Sequence, residues 1–498
     1  MSIALTLLSA ALMWAAFPPL DLGFLVFVAP VPFLWTMRRV ETARQAGWLG
    51  FLFGAAFFGS MLYWIFVLGA VAWVPLTLVM ALWFTGYALV LFMARTWTAW
   101  RWWIVAVGAW AAMEFLRARF PFNGFPWGSA GFPIGTIPGA RGAAQWIGAT
   151  GWGVVVIGFA AGLAVTLEEE RDRRWLEASA VAIVVLTLAG AIFQPSAGGP
   201  AWRAAVVQGN SPCPRVHCDG EKELIYEAHL GLTRTIEEGG ADLVVWPEDS
   251  FGGDFNPTFN AEVASEMAGE AARIGAYLLA GGTRTAGPGY FENLNVVFSP
   301  SGAIIGEYLK QHPVPFGEYV PFRQIFDLVP QLAAVPNDLV RGEGPVTWTV
   351  DIDEGERRFG SVISFEGAFV RTMRAQVNDG ARLLVVATNE ASYGRGPASD
   401  QLIGMVRMTA TALGVDVVHG AVTGRSTIVR ADGSVEQRTP LFEGLVYTGV
   451  VRFQDSPRTF YTIAGDWLQL LAIAAAAVTI AAYREARRGF RIRPEVAR

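Results

Sequence analysis

Apolar runs long enough to cross a lipid bilayer fill most of the first 195 residues, and they restrict this chain more than any other feature. A helix needs about 20 predominantly apolar residues to span membrane hydrocarbon. Runs of that kind are read as helices near 3–17, 21–36, 46–69, 73–94, 100–117, 143–167 and 175–193, with another near 459–483. Composition agrees: of 498 residues, 53% are hydrophobic and 16% charged, outside the range of soluble domains. Nineteen Trp and 33 Phe supply interfacial anchors and packing. The first run lacks a basic leading region and continues into Phe17-Pro18-Pro19 and a further span, so it is expected to stay as a helix rather than be cleaved.

Eight helices, an even number, put both ends of the chain on one side. The loops on that side carry Arg38, Arg39, Arg44, Arg95, Arg101, Arg171, Arg173 and Arg174, and the tail adds Arg484, Arg487, Arg488, Arg491, Arg493 and Arg498. The opposite short loops carry little beyond Arg117, Arg119 and Arg141. By the positive-inside rule the termini are cytoplasmic and residues 200–455 face outward. In a bacterium that is the periplasmic side of the inner membrane. The expected organisation is a seven-helix membrane domain over 1–195, an extracytoplasmic domain over 200–455, an eighth helix over 459–483 and a basic cytoplasmic tail over 484–498. Net charge is −5 with no basic stripe beyond the membrane flanks, which excludes nucleic acid as a partner.

The outer domain alternates strand-like and helix-like segments. Strands are read at 202–209, 242–248, 277–283, 293–300, 303–309, 359–364, 382–388 and 416–422, and helices at 219–238, 258–274, 368–378 and 398–413. Such alternation implies an α/β layered sandwich. The loop EFLRARFPFNGFPWGSAGF, between the fifth and sixth helices, is aromatic and rich in Gly and Pro, and reads as a re-entrant or interfacial segment. Glu114 and Arg117 in it have the spacing of a local ion pair. Cys213 and Cys218 can form one disulfide in an oxidising compartment. His217 between them opens a metal reading, but no second ligand pair accompanies it.

Three polar residues of complementary chemistry follow apolar strands: Glu248, Lys310 and Ser364. Ligands of α/β sheets bind at the carboxyl ends of strands, so residues 62 and 54 positions apart can converge there. A carboxylate, an ammonium and a hydroxyl suit acyl transfer, as base, oxyanion partner and nucleophile. Three unrelated caps or surface groups would have the same spacing, and spacing alone favours that reading.

The segments VVWPED, LKQHPVPFGEYVPF, SVISFEGAF and ATNEASYG resemble the signatures of the nitrilase (carbon–nitrogen hydrolase) superfamily, specifically its membrane branch, the apolipoprotein N-acyltransferases. The loop around NGFPWG is similar to that branch's loop between helices five and six. The resemblance implies an αββα sandwich beside the eight membrane helices. It implies Glu248 as general base, Lys310 as oxyanion-stabilising lysine and Glu318 as a supporting acid. Within the same motifs Glu366 and Asn389 are expected to support the site, and Trp246, Phe316, Tyr319, Phe365 and Trp127 to bind substrate. The implied donor is a phospholipid such as phosphatidylethanolamine, the acceptor a diacylated apolipoprotein, the setting membrane lipid, and no metal or cofactor takes part.

The sequence departs from the family pattern where the family has its nucleophilic cysteine: position 364 is serine. A serine hydroxyl is far less acidic than a thiol, whose ordinary pKa is about 8.5, and it is weak without an activating base. Ser364 is therefore an engineered change, a natural serine nucleophile, or the mark of a silent lipid- or lipoprotein-binding relative. A membrane-tethered amidase is a further alternative, disfavoured by an apolar run. In that run Phe322, Ile325, Phe326, Leu328 and Val329 read either as a lid lying on the membrane or as a buried loop.

Overall fold

The computed structural model describes residues 1–169, 172–213, 218–326, 329–352 and 355–491. His217, Leu328 and the tail from 492 onward lie outside the described residues. The chain forms two compact units, residues 1–194 together with the segment from Ile463, and residues 195–462.

In the first unit four helices are long and apolar enough to cross a membrane: Ala70–Ala94, Ala144–Thr166, Arg174–Ile192 and Trp467–Ala486. Shorter or more polar helices run over Ser2–Ala15, Ala43–Met61 and Ala99–Arg117. The expected helix over 21–36 is not continuous. A 3-10 turn at Gly23–Phe27 gives way to Pro30, and an α-helix runs only over Val31–Arg39. Pro30 lacks an N–H and disfavours helical backbone in the residue before it, so the run breaks there. Nine residues rise about 14 Å, half of the hydrocarbon thickness. The expected 46–69 helix likewise ends at Met61, and Gly69, at φ +99°, separates it from the next. Phe33, Phe53, Phe57, Phe84 and Trp110 form an aromatic core, with Phe53 centred 4.7 Å from Phe33 and 4.9 Å from Phe84.

Glu114 and Arg117, expected as an ion pair, each also hold the loop that follows. Glu114 Oε1 accepts from Trp110 Nε1 at 2.9 Å and from the Ala130 N–H at 2.8 Å. Arg117 donates to the carbonyls of Phe125 and Trp127 and to Ser129 Oγ. Both charged groups are buried, so each needs these partners to offset lost hydration.

The second unit has two sheets. The first contains β1 (Gly198–Gln208), β2 (Leu243–Phe251), β3 (Tyr277–Thr285), β4 (Tyr290–Phe298) and β5 (Ile304–Leu309). Its order is β12-β1-β2-β3-β4-β5, where β12 is Leu445–Gln454, and β6 (Asp338–Leu339) pairs with β4. The second sheet has the order β11-β10-β9-β8-β7. Its strands are β7 (Thr347–Ile352), β8 (Gly355–Ile363), β9 (Leu383–Thr388), β10 (Val417–Ala421) and β11 (Thr427–Val429). Alternation along β2 shows how the layers form. Leu243 and Val245 enter the core between the sheets, with Trp202, Leu279, Phe359 and Val385. Val244 and Trp246 face the helices Glu221–Thr233 and Ala261–Ile274, packing with Tyr226, Leu230 and Met267. Helices Val370–Asn378 and Ala398–Leu413 cover the second sheet. Four layers result, an αββα sandwich.

Strand direction matters for the site. β2 runs parallel to β1 and β3, β4 runs against β3, and β5 runs against β4, so β2 and β5 end at the same edge. β8, β9 and β10 are mutually parallel.

Candidate active site

Glu248 lies in an irregular stretch of β2, where the register with β3 shifts between Trp246 and Phe251. Its carboxylate is buried and fully engaged. Oε1 accepts from Lys310 Nζ at 3.0 Å and from Asn293 Nδ2 at 2.8 Å, and Oε2 accepts from the Asn389 N–H at 3.1 Å. Lys310 is the first residue past β5 and is 1% exposed. Its Nζ also donates to Glu318 Oε1 at 2.6 Å, while Glu318 Oε2 accepts from the Val314 N–H at 2.7 Å. Two of the ammonium's three N–H groups are thus directed to carboxylates, which leaves one for a ligand. Burial works to lower Lys310, but the carboxylates of Glu248 and Glu318 overcome it and hold the amine above its ordinary value. Burial raises Glu248; Lys310 opposes that, while Asp249 and Glu318 add to it.

Ser364 directly follows β8 and is half-buried. Its φ of +53° is left-handed, a conformation that costs a non-glycine residue about 1–2 kcal/mol. A short 3-10 turn over Ser364–Ala368 follows, and the helix begins only at Val370. The Ser364 hydroxyl accepts a long hydrogen bond from Thr388 Oγ1, 3.4 Å. Thr388 ends β9, and the next residue, Asn389, supplies the N–H on Glu248. Residues 388–389 therefore join the hydroxyl of one sheet to the carboxylate of the other.

Glu366 does not join the carboxylate–lysine cluster. Its Oε1 accepts from the N–H groups of Gln311 and His312, at 2.6 and 2.9 Å, and its Oε2 from Tyr308 Oη and the Ile363 N–H, both at 2.8 Å. It ties the segment after Lys310 to the turn that carries Ser364. Burial works to raise this carboxyl, yet the donors from His312, Ile363 and Tyr308 hold it below the usual carboxylate range.

The five residues expected to bind substrate separate into groups. Phe316, Tyr319 and Phe365 lie in the loops that carry Glu318 and Ser364: Phe316 packs edge-on against Phe326, Arg341 lies over the Tyr319 ring, and Phe365 meets Phe369. Trp246 is fully buried on the helix side and donates to Thr233 Oγ1 at 2.8 Å, so its indole packs the core instead of lining a site. Trp127 belongs to the first unit, where it is buried against Trp64 and Phe125. Phe322 and Ile325 are 69% and 66% exposed, which does not fit the buried-loop alternative.

Asn293 and Asp249 escaped the sequence reading. Asn293 lies near the start of β4, and a search restricted to strand ends passes over it. Because β4 runs opposite to its neighbours, its beginning lies at the edge where β5 ends, and the Lys310 N–H donates to the Asn293 carbonyl. Asp249 Oδ2 accepts from Asn389 Nδ2 at 2.8 Å, and its Oδ1 lies 3.5 Å from Lys222 Nζ. Cys213 and Cys218 form a disulfide, with Cα atoms 6.0 Å apart.

Residues 9–162 match the family model described as the apolipoprotein N-acyltransferase N-terminal domain, and residues 203–454 match that described as carbon-nitrogen hydrolase. A protein of Geobacter metallireducens named apolipoprotein N-acyltransferase is 30% identical, with the alignment covering 96% of this chain and 94% of the relative. One of the same name from Sinorhizobium medicae is 30% identical over 85% of this chain and 82% of its own. Among solved structures, a nitrilase-superfamily amidase from Nesterenkonia AN1 is 19% identical, covering 54% of this chain and 93% of its own, at a TM-score of 0.36.

Proposed function

The chain belongs to the apolipoprotein N-acyltransferase family, with a carbon–nitrogen hydrolase domain, and from that premise we propose that it moves an acyl chain from a membrane phospholipid to a lipoprotein's amino terminus. It is a membrane-protein acyltransferase that N-acylates lipoproteins. The donor in this reading is phosphatidylethanolamine-like, and the acceptor is the α-amino group of a diacylglyceryl-cysteine. The observation that carries the reading is the cluster of buried Glu248 and Lys310 with half-buried Glu318, linked through Asn389 and Thr388 to a serine on a left-handed turn.

In the first half-reaction the Ser364 hydroxyl attacks the donor's ester carbonyl, and Glu248 takes its proton. The spare N–H of Lys310 stabilises the oxyanion of the tetrahedral intermediate. That intermediate collapses to an acyl-serine ester, and the leaving lysophospholipid oxygen recovers the proton from Glu248. In the second, the amine attacks the acyl-serine, Glu248 removes a proton from nitrogen, and an amide forms as the serine oxygen is reprotonated. Glu318 holds Lys310 in place, and Asn389 holds Glu248.

In this reading the chain makes eight membrane passes, the broken segment around Pro30 making the second, and the arginine asymmetry supports both termini lying in the cytoplasm at a bacterial inner membrane. The domains in this reading are 1–195, 200–455, 459–483 and the basic tail 484–498, with 200–455 periplasmic. Serine at 364 favours a second reading as well, a relative that binds lipid or lipoprotein with little turnover, because a serine is a poorer nucleophile and its ester is less reactive to amines. One assay separates the two. Protein with Ser364→Cys is incubated with phosphatidylethanolamine and a diacylglyceryl-cysteine peptide, and triacylated product and lysophospholipid are followed together. A gain of several orders of magnitude is expected, since the thiol ionises more readily. A folded but inert Ser364→Cys protein would leave only the binding reading.

A further inference from the structure

We propose that Lys222 and Asp249 are positioning residues for Glu248, acting through Asn389 to hold the N–H that Glu248 accepts and to set the charge around it. This rests on Glu248 serving as the base in the reaction above. Asp249 follows Glu248 directly and has left-handed backbone, φ +64°. Its Oδ2 accepts from Asn389 Nδ2 at 2.8 Å, and Asn389 Oδ1 accepts from the Ala391 N–H at 3.0 Å, so the Asn389 amide is fixed at both ends. Held in this way, Asn389 points its backbone N–H at Glu248 Oε2. Lys222, the second residue of the helix Glu221–Thr233, lies 3.5 Å from Asp249 Oδ1. Its stem packs where a side chain at Gly252 would be, since a Cβ there would lie 3.2 Å from Lys222 Cδ. Three links thus join a lysine 39% exposed at its side chain to a buried base.

Acyl transfer itself has no use for a second carboxylate immediately after the base. Its effect is electrostatic. Burial works to raise Asp249, but Lys222 and Asn389 hold it below its ordinary value, as an anion. That anion raises Glu248, as Glu318 does, while Lys310 lowers it. Glu390 and Tyr393, past Asn389, also feel the Glu248 charge. Lys222 screens Asp249. Removing the Asp249 charge and removing the Lys222 charge should therefore move the base in opposite directions, which loss of a merely structural contact would not do.

The test uses the full chain carrying Ser364→Cys in detergent micelles. The two native cysteines are joined, so position 364 holds the reactive thiol. Its alkylation by iodoacetamide is followed against pH by mass spectrometry. Asp249→Asn is expected to shift the profile to lower pH by about half a unit, and Lys222→Met to higher pH by about as much. Lys222→Arg is expected to keep the parent profile. Shifts in the same direction, or no shift in a folded Lys222→Met protein, would overturn the proposal. Lys222 is exposed enough for replacement to be tolerated, so it carries the test even where Asp249→Asn fails to fold. The titration needs no lipid. Failure of the acyltransferase reading would appear as absent acyl transfer with the opposed shifts intact, and failure of this inference as acyl transfer without them.

Discussion

Lys310 carries one positive charge between two carboxylates, and that imbalance decides what each substitution does. Glu248→Gln keeps the shape and leaves Lys310 paired with Glu318 at 2.6 Å. It should fold like the parent and form no acyl-enzyme, measured by intact mass after incubation of the Ser364→Cys form with phospholipid. Lys310→Met leaves the buried Glu248 carboxylate, with the half-buried Glu318 beside it, without a cation, at a cost of about 3–5 kcal/mol unless Glu248 takes up a proton. It should lose acyl-enzyme formation and melt earlier. Acyl transfer near parent rates in either variant would remove that residue from the mechanism. Glu248 and Lys310 were legible in the sequence because each stands just past an apolar run, although β2 continues through Glu248 to Phe251. Asn293 was not, because its place at the site depends on β4 running backwards, which only the pairing reveals. Trp246 misled for the opposite reason: it sits inside a matching motif, yet strand alternation turns it toward the helices.

At the scale of elements, two loops are made into one by Glu366, which gathers four donors from residues 308–312 and 363 onto a single carboxylate. A glutamine there replaces one acceptor oxygen with a donor NH2 group that faces donors. Glu366→Gln should destabilise the protein by about 2–3 kcal/mol, and should also disable a Ser364→Cys nucleophile by displacing its turn. Thermal melting read beside acyl-enzyme yield checks this; full yield at an unchanged melting temperature would refute it. Most strands of the sandwich could be read from their apolar, β-branched runs. β7 and β12 could not, since alternate residues such as Thr349, Asp351 and Arg452 face solvent and dilute the pattern. The broken helix at Pro30 was hidden by the reverse effect. A continuous apolar run records hydrophobicity and length, whereas the break depends on one ring nitrogen.

For the whole molecule, orientation and acid response are the measurable consequences. A reporter fused after Arg498 should behave as cytoplasmic and one placed near Pro200 as exported; the reverse pattern would overturn the proposed topology. In the domain of residues 195–462, His229 and His419 are fully buried. Burial lowers His229 to about 4, against a partly opposing contact with the Ile225 carbonyl, and lowers His419 to about 3, with Arg438 adding to the effect. At these two positions the folded state binds fewer protons than the unfolded chain below about pH 6.5. Each histidine's contribution to stability is fully present above that value and falls as pH drops toward 4, by about 1.4 kcal/mol per unit, while the buried Glu390, raised to about 7, works in the opposite direction over the same window. Between about pH 6.5 and 4.5 the melting temperature of His419→Gln should fall less than that of the parent, and an equal fall in both would remove His419 from the acid response.

The bond between Cys213 and Cys218 has a meaning beyond its loop. Protein disulfides last where the surroundings oxidise thiols and are undone where glutathione and thioredoxin act. These are the two cysteines of the whole chain, so no other thiol competes for pairing and no other signal obscures the result. The oxidation state of one pair in freshly broken cells thus acts as a built-in address label for the side of the membrane on which the loop lies, independent of any fused reporter.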